Sequence, residues 1–343
     1  MLSSQPPMNV GKLPPDLLER LLSTVPIRDP RVLLGPRVGE DAALIDMGDM
    51  ALVVKTDPIT FATDLIGWYA VQVNANDVAC MGARPRWFLA TVLLPEGSKP
   101  EQAESVFHQI VSACQELDIT LVGGHSEVTH QLQRPIVVGQ MLGEVERERV
   151  VRTGGALPGD AVVLTKGIAI EGTALLAREA AAALQEAGVP TDILGRAREY
   201  LFNPGISVVS EALAARDAFN IHSMHDPTEG GLATGLREIA QAAGVGLDID
   251  GASIPLLPEC RAVCSALDLD PLGLLASGAL VITLSEEEAQ PLLEMLKKKG
   301  TAAKVIGRVT SLEEGLSLHT GDGTRDFPSF ERDELARYLS RNP

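Results

Sequence analysis

The chain has 343 residues, of which 45% are hydrophobic and only 3% aromatic, and a formal net charge of −17 at pH 7. This length is enough for two domains, with cores built mainly from Leu, Val, Ile and Ala. The negative charge argues against a nucleic-acid partner or an anionic membrane surface. An anionic substrate such as a nucleotide would need a cation to screen it.

The small number of cysteines and the lack of long apolar segments predict a soluble protein in a reducing compartment. Four cysteines (Cys80, Cys114, Cys260 and Cys264) in so long a chain do not form a disulfide framework. Residues 1–12 contain no apolar run of signal-peptide length, and no segment reaches the roughly 18 apolar residues of a membrane span. We therefore expect a cytoplasmic protein, with Cys260 and Cys264 as buried thiols.

The first half of the chain contains one buried strand and one unusual helix. The apolar residues 52–54 predict a strand that ends at Thr56-Asp57-Pro58, because the residue before a proline avoids helical geometry. Residues 64–82 predict an apolar helix that is interrupted by the polar residues Asn74 and Asp77, three apart on one face. That face is either exposed to water or paired with a ligand. Further elements are predicted as helices over 14–24 and 100–117 and strands over 87–94, 119–122 and 135–142.

A loop cluster over residues 152–160 predicts the boundary between two domains, 1–152 and 153–343. Strands and helices mix without strict alternation, so the predicted class is α+β rather than doubly wound. The predicted elements of the second domain are strands over 161–165, 246–249, 279–284 and 302–309 and helices over 173–186, 207–215, 226–243, 286–299 and 331–339.

Three acidic positions next to apolar strands predict a site for a hard cation. They stand at three places in the chain: Glu40 and Asp41 follow a glycine turn, Asp57 ends a predicted strand, and Asp77 lies in the predicted helix. Mg²⁺ takes oxygen ligands and is commonly held by one or two carboxylates together with substrate phosphates. An ordinary acidic turn remains the alternative for Glu40 and Asp41. The chain has neither a P-loop nor a complete dinucleotide fingerprint, so those nucleotide sites are excluded.

A second motif places His125 after the glycine pair Gly123-Gly124, at the end of a predicted buried strand. Paired glycines allow a ligand to approach the backbone closely. His125 is followed by Glu127, which is faintly similar to zinc deaminases, but the partner motif P-C-x-x-C is absent. The alternative is a loop histidine that is merely hydrogen-bonded.

The segment 226–231, Asp-Pro-Thr-Glu-Gly-Gly, has two interpretations. In the first, Asp226 is the N-cap of a helix and Glu229 completes a capping box. In the second, the two glycines allow backbone N–H groups to approach a ligand. The nearby His222 and His225 are expected to be structural.

Taken in order, these segments resemble the AIR synthase (PurM-like) superfamily. The residues that carry the resemblance are Gly39-Glu-Asp-Ala-Ala43, Thr56-Asp57, Asn74-Ala-Asn-Asp-Val-Ala-Cys-Met-Gly-Ala-Arg-Pro85, Gly123-Gly124-His125 and Asp226-Pro-Thr-Glu-Gly-Gly-Leu232. The similarity covers most of residues 30–310, and within the superfamily the chain is most similar to the hydrogenase maturation factor HypE and its relatives.

The resemblance implies a two-domain α+β subunit whose N-terminal mixed-sheet domain forms a homodimer, followed by a C-terminal α/β sandwich-like domain. It also implies that ATP binds near the dimer interface with Mg²⁺ on Asp41, Asp57 and Asp77. Glu40, Asn74, His125 and Asp226 would then contact the nucleotide or substrate. The implied chemistry is ATP-dependent activation of an oxygen, on an amide-like small molecule or a protein-borne acceptor.

Two departures from the family pattern leave alternatives open. Gly124-His125-Ser126 stands where relatives have Gly-Asp-Thr, so a metal or phosphate contact is altered and Glu127 is a candidate replacement. No cysteine follows Cys264, whereas HypE carries its acceptor group on a C-terminal cysteine. The alternatives are a phosphotransferase similar to thiamine-phosphate kinase, and a non-catalytic nucleotide-binding scaffold that assists a maturation partner.

Overall fold

A computed structural model describes residues 11–60 and 64–341 of the chain. It contains two mixed β-sheets, each covered by helices, which confirms the predicted α+β class. The first sheet is formed by residues from 32 to 146 and the second by residues from 160 to 326. Within the described ranges, no helix is both long and apolar enough to cross a membrane.

The first sheet has six strands in the order β1-β2-β3-β6-β4-β5. Its elements, with the helices that cover it, are α1 (Pro15–Leu22), β1 (Val32–Leu34), β2 (Ala43–Asp46), β3 (Met50–Ile59), α2 (Ile66–Cys80), β4 (Arg84–Pro95), α3 (Pro100–Glu116), β5 (Thr120–Thr129) and β6 (Ile136–Glu146). β5 pairs with β4 alone, in parallel, and its residues are mostly exposed.

Helix α2 is buried on every side, because it lies between the first sheet, α3 and the second half of the chain. The absence of a side chain at Gly67 allows α3 to approach closely: a Cβ there would lie 2.5 Å from the carbonyl oxygen of Val106. The polar residues of α2 are therefore not on a water-exposed face, and each needs a partner in the interior.

The second sheet has seven strands in the order β13-β12-β9-β11-β7-β10-β8. Its elements, with the helices that cover it, are β7 (Asp160–Thr165), α4 (Ile170–Glu179), α5 (Ala181–Glu186), α6 (Thr191–Arg198), α7 (Val209–Ala218), β8 (Ser223–His225), α8 (Gly231–Ala243), β9 (Gly246–Asp250), α9 (Pro258–Leu267), β10 (Val281–Ser285), α10 (Glu286–Lys298), β11 (Ala303–Thr310), β12 (Leu316–Thr320), β13 (Gly323–Asp326) and α11 (Glu334–Arg341).

Two predicted strand ends are wrong. β3 continues through Pro58 to Ile59, because β2 pairs only with residues 51–54 and leaves one side of Pro58 without a strand neighbour. A proline is tolerated at such a locally unpaired edge. β5 likewise continues through Gly124, where a Cβ would lie 2.0 Å from the carbonyl oxygen of Ala90, so close packing against β4 explains this glycine.

The two halves of the molecule are joined by Asn76 of α2. Its Nδ2 donates to the carbonyl oxygen of Ile206 at 2.8 Å, and its Oδ1 accepts from the backbone N–H of Val208, also at 2.8 Å. Asn76 is fully buried. Both polar groups of this side chain are therefore satisfied by the backbone of the other half.

Candidate functional site

Lys55 lies between two of the predicted metal-binding carboxylates. Its Nζ is 3.2 Å from Oδ1 of Asp77 and 3.6 Å from Oδ2 of Asp57. The side chain of Asp77 is almost fully buried, whereas that of Asp57 is 37% exposed. β3 supplies Lys55 and Asp57 from alternate positions on one face, and α2, which packs against that strand, supplies Asp77.

The electrostatics of this pair of acids show competing effects. Burial raises the pKa of Asp77 well above its ordinary value, and the ammonium of Lys55 opposes that shift. Burial likewise raises the pKa of Asp57. For Lys55, burial alone would lower the pKa, but the carboxylates of Asp77 and Asp57 outweigh it and raise the pKa. Lys55 thus stabilises the charged forms of both acids against the effect of burial, and Lys12 also acts on Asp57.

Asp41 is held by groups from the second half of the chain. Its Oδ1 accepts from Nδ1 of His225 at 2.7 Å, and its Oδ2 accepts from Oγ1 of Thr153 at 3.2 Å. Nε2 of His225 contacts Oε2 of Glu238 at 2.9 Å. Burial would lower the pKa of His225, but Asp41 and Glu238 raise it well above its ordinary value, so the ring is an imidazolium that donates to both acids.

Asp226 lies beside Asp41, and its role differs from both interpretations of its motif. Oδ1 of Asp226 accepts from Sγ of Cys80 at 3.4 Å, while Oδ2 is buried and has no partner. Burial, reinforced by Asp41, raises the pKa of Asp226 to about 7. The prediction that Asp226 caps a helix is wrong, because α8 begins only at Gly231.

The glycines before α8 are explained by backbone geometry. Gly230 and Gly231 have φ values of +80° and +66°, and a Cβ on Gly231 would lie 2.4 Å from the carbonyl oxygen of Leu272. The N–H of Gly230 donates to Oδ2 of Asp333 at 2.7 Å. The interpretation that these glycines admit a ligand to free N–H groups is therefore wrong for Gly230.

The side-chain amide of Asn74 is hydrogen-bonded to the backbone of α2 and β3, so its N–H groups are not free to contact the carboxylates. Its Nδ2 donates to the carbonyl oxygens of Ala70 at 2.8 Å and Asp57 at 3.2 Å. Its Oδ1 is buried without a partner. Glu40 has a buried side chain that accepts from Nη2 of Arg152 at 3.0 Å through one oxygen, while the other has no partner.

His125 is separated from these acids within one subunit. It is on β5, three strands from Pro58 along the registers His125–Thr91–Val138–Pro58. Neighbouring strands are about 4.8 Å apart, so the backbone separation is about 14 Å. The His125 side chain is largely exposed, and its Nε2 contacts Oε2 of Glu127 at 3.1 Å.

One of these acids, Asp57, lines a cleft between the two halves of the molecule. The residues that line it are Asp57, Pro58, Ile59, Thr60 and Val73 from the first half and Glu171, Thr228, Glu229, Leu275 and Ser277 from the second. Burial raises the pKa of Glu171 to about 8, so this carboxyl group is largely protonated at neutral pH. Lys12 reaches the same region, with Nζ 3.3 Å from Oε2 of Glu229.

Four residues at this site were not among the predicted ligands: Lys55, Cys80, Glu171 and Glu238. Lys55 directly precedes the Thr-Asp motif, and Cys80 lies one helical turn after Asp77, so the spacing could have indicated them. Glu171 and Glu238 carry no comparable signal, since only the tertiary packing brings them here. The expectation that Cys260 and Cys264 are buried thiols is confirmed, with the two Sγ atoms 3.9 Å apart. His222 and His225 are hydrogen-bonded to Asp160 and Asp41, as expected of structural histidines.

The donor set fits a divalent cation. Asp77 and Asp226 each present a buried carboxylate oxygen without a partner, and Lys55 already supplies a positive charge between Asp57 and Asp77. Carboxylate oxygens are the ligands that Mg²⁺ prefers. Both oxygens of Asp41 accept hydrogen bonds, from His225 and Thr153, and carboxylates that hold a metal are commonly hydrogen-bonded to surrounding residues.

Two family matches cover most of the chain. Residues 39–145 match the N-terminal domain of the AIR synthase related protein family, and residues 158–317 match its C-terminal domain. Carbamoyl dehydratase HypE of Cupriavidus necator is 31% identical over 81% of this chain and 78% of its own length. The protein of the same name from Rhodobacter capsulatus is 30% identical over 89% of this chain and 88% of its own length.

Solved structures have the same fold. The crystal structure of hydrogenase maturation protein HypE in complex with ATP aligns with a TM-score of 0.71 at 25% identity, covering 93% of this chain and 91% of that one. The crystal structure of a HypE–HypF complex aligns with the same TM-score and identity over 86% of this chain and 94% of the HypE-like chain it matches.

Proposed function

Because the chain belongs to the AIR synthase related protein family, we propose that it binds ATP with Mg²⁺ and uses it to activate an amide-like oxygen. The observation that carries this proposal is a group of acids from both halves of the molecule that interact electrostatically, of which Asp57 lines a cleft between the halves. Asp57 and Asp77 come from the first half and Asp226 from the second, and two of these three have a buried oxygen without a partner. The HypE relatives, one of them crystallised with ATP, support the choice of nucleotide.

Asp41, Asp57 and Asp77 are the residues that would hold Mg²⁺. Bound there, the ion would neutralise phosphate charge and so assist phosphoryl transfer. Lys55 adds a second positive charge next to the same acids, and the chain's negative charge of −17 makes such cations necessary for a nucleotide. The protein contributes position and charge rather than a covalent intermediate.

The proposed reaction proceeds in two steps. The acceptor carbonyl oxygen attacks the γ-phosphorus of ATP, and ADP leaves with the bridging oxygen. The carbon–oxygen bond then breaks, so that phosphate leaves with the former amide oxygen and the amide nitrogen loses its two protons. Glu171 lines the cleft and, with a pKa of about 8, is suited to exchange a proton near neutral pH.

The acceptor is proposed to be a small molecule or a group borne by another protein. All four cysteines of the sequence are buried, so no thiol of this chain is free at the surface to carry the acceptor. The structure of a HypE–HypF complex supports a maturation partner of that kind. A scaffold that binds ATP without turnover would show the same nucleotide binding but release no phosphate.

We also propose that the subunits form a homodimer through the exposed first sheet. β5 is an exposed edge strand, and its Val122 and Val128 side chains are more than half exposed. Unpaired strand edges are usually covered in native assemblies. A partner on this edge would also bring His125 into an interface, which would give the predicted contact of His125 a place that one subunit does not provide.

The test is ligand-dependent thermal stability of the full chain. A ligand at 100 times its Kd stabilises the folded state by about 2.7 kcal/mol. We expect Mg²⁺-ATP to raise the melting temperature, and Asp57→Asn to remove most of that rise. The matched control is Asp192→Asn, which alters an exposed acid paired with Arg196 on α6. An unchanged melting curve for the native chain with Mg²⁺-ATP would contradict the proposal.

A further inference from the structure

Cys80 adds a sulfur atom to a cluster of buried carboxylates. Ligand atoms of Asp41, Cys80 and Asp226 all lie within 4.8 Å of one another, and all three residues are buried. The three come from distant parts of the chain: the loop before β2, the last residue of α2 and the segment after β8. Such an arrangement is maintained by the tertiary fold and not by one local turn.

One atom of this cluster has no hydrogen-bond partner among residues 11–60 and 64–341. Oδ2 of Asp226 is buried and unbonded, although the residue is only 2% exposed. A buried carboxylate oxygen without a hydrogen bond is costly, and a bound ion removes that cost. The other acid is already oriented, because His225 and Thr153 bond one oxygen each of Asp41. Ligands fixed in this way by surrounding hydrogen bonds are characteristic of metal sites.

We infer that Asp41, Cys80 and Asp226 form a binding site for a thiophilic divalent cation such as Zn²⁺ or Co²⁺. Three protein ligands with one position left for water or substrate is the arrangement of catalytic rather than structural zinc sites. The thiol binds as thiolate, so its proton is released to solvent when the ion enters. The thiolate donor favours these softer metals over Mg²⁺, whose proposed ligands include the same Asp41.

This site shares Asp41 with the proposed Mg²⁺ ligands and uses the same buried oxygen of Asp226, so a thiophilic ion would compete with Mg²⁺ for these two acids. The two sites differ in their donors, since Asp57 and Asp77 offer oxygen alone. Binding of a thiophilic ion without nucleotide therefore tests this inference, while the response to Mg²⁺-ATP tests the proposed function. Either can fail without the other.

The experiment is a titration of the reduced, metal-free full chain with Co²⁺, followed by absorption spectroscopy. A cobalt–thiolate bond gives a charge-transfer band in the near ultraviolet, which oxygen ligands do not produce. We expect this band to saturate at one equivalent in the native chain and to be absent in Cys80→Ser. Cys114→Ser, which alters a buried thiol of α3, is the matched control and keeps the band.

Competition with Zn²⁺ gives a second measurement. We expect Cys80→Ser to weaken Zn²⁺ binding by about tenfold or more, the scale by which supporting residues alter metal affinity. If Cys80→Ser fails to fold, Asp226→Asn retains the thiol and is expected to lower Co²⁺ affinity by about tenfold. The absence of a band in the native chain, a band that survives Cys80→Ser, or unchanged affinity in Asp226→Asn would each overturn the inference.

Discussion

Replacing Lys55 by methionine removes the cation between Asp57 and Asp77 and retains most of the side-chain volume. At an effective dielectric constant near 20, two unit charges 3.2 Å apart, the distance from Lys55 Nζ to Asp77 Oδ1, attract by about 5 kcal/mol. Loss of one partner of a buried ion pair destabilises by about 3–5 kcal/mol. Since Lys55 retains some exposure, we expect the lower value, about 3 kcal/mol, at pH 8.5.

The loss should depend on pH, because Asp77 can take up a proton. Burial already raises the pKa of Asp77, and removing Lys55 raises it further. As the pH falls, the carboxyl group takes up a proton in the folded variant before it does so in the unfolded chain, so the uncompensated charge disappears and the loss shrinks. The defect therefore grows as the pH rises.

The assay is thermal unfolding at pH 5.5 and 8.5, with and without Mg²⁺. An unfolding entropy of about 2.1 cal/mol/K per residue over 343 residues converts 3 kcal/mol into a decrease of about 4 °C in melting temperature, if the chain unfolds as one unit. Mg²⁺ should stabilise the variant more than the native chain, because it replaces the missing charge. Lys304→Met, which alters an exposed lysine, is the control and should change stability by less than about 0.5 kcal/mol.

Equal losses at both pH values would refute this reasoning, since the defect would then come from packing and not from charge. Equal stabilisation of both proteins by Mg²⁺ would show that the ion does not enter between Asp57 and Asp77. Native-like stability of Lys55→Met at pH 8.5 would mean that the two acids are not charged together.

Three further predictions concern stability and assembly. The folded-state pKa of Glu171 is about 8 against an ordinary value of 4.5, so between those pH values the folded state binds a proton that the unfolded state has lost, and native stability falls as pH rises. In urea unfolding, the stability of Glu171→Gln should match that of the native chain near pH 4 and exceed it increasingly up to pH 9. Parallel pH profiles of the two proteins would contradict this. Asn76→Ala leaves two buried backbone groups unpaired and should lower the free energy of unfolding in urea by about 2–4 kcal/mol. The control Asn220→Ala, at an exposed asparagine, should leave that free energy nearly unchanged. An equal effect of both substitutions would be contrary evidence. Gly124→Ala places a Cβ 2.0 Å from the carbonyl oxygen of Ala90, so it should separate β5 from β4. We expect this change to weaken the proposed dimer, as measured by sedimentation. An unaltered sedimentation profile would count against an interface on β5.

The regular elements could be predicted from the sequence because local periodicity determines them. The helix over 64–82 and the strand over 135–142 correspond to α2 and β6 with shifts of a few residues at their ends. The end of β3 could not be predicted, since the proline at 58 is tolerated only because β2 stops short of it. The local sequence does not determine which strand pairs with β3 at that point.

The sequence named the acids of this cluster but not their partners, and the role of these acids as ligands stays a prediction. Asp41, Asp57 and Asp77 stand in motifs that a resemblance can identify, and all three lie in one electrostatically connected cluster. Asp-Pro-Thr-Glu has the form of a helix cap, but the following glycines have positive φ values and α8 begins only at Gly231. The contact of Asp226 with nucleotide or substrate stays a prediction. Glu238, 13 residues beyond His225, reaches the site through tertiary packing that no spacing rule anticipates.

The two hydrogen bonds of Asn76 have a consequence for how a ligand enters. They connect α2 to the backbone of Ile206 and Val208, which are two residues apart, so the halves of the molecule behave as one rigid piece at that point. A hinge that swung the halves apart would have to break both bonds and leave four polar groups without partners in a dry interior. Access must therefore come from local rearrangement at the rim of the cleft, with the floor staying fixed during each round of binding and release.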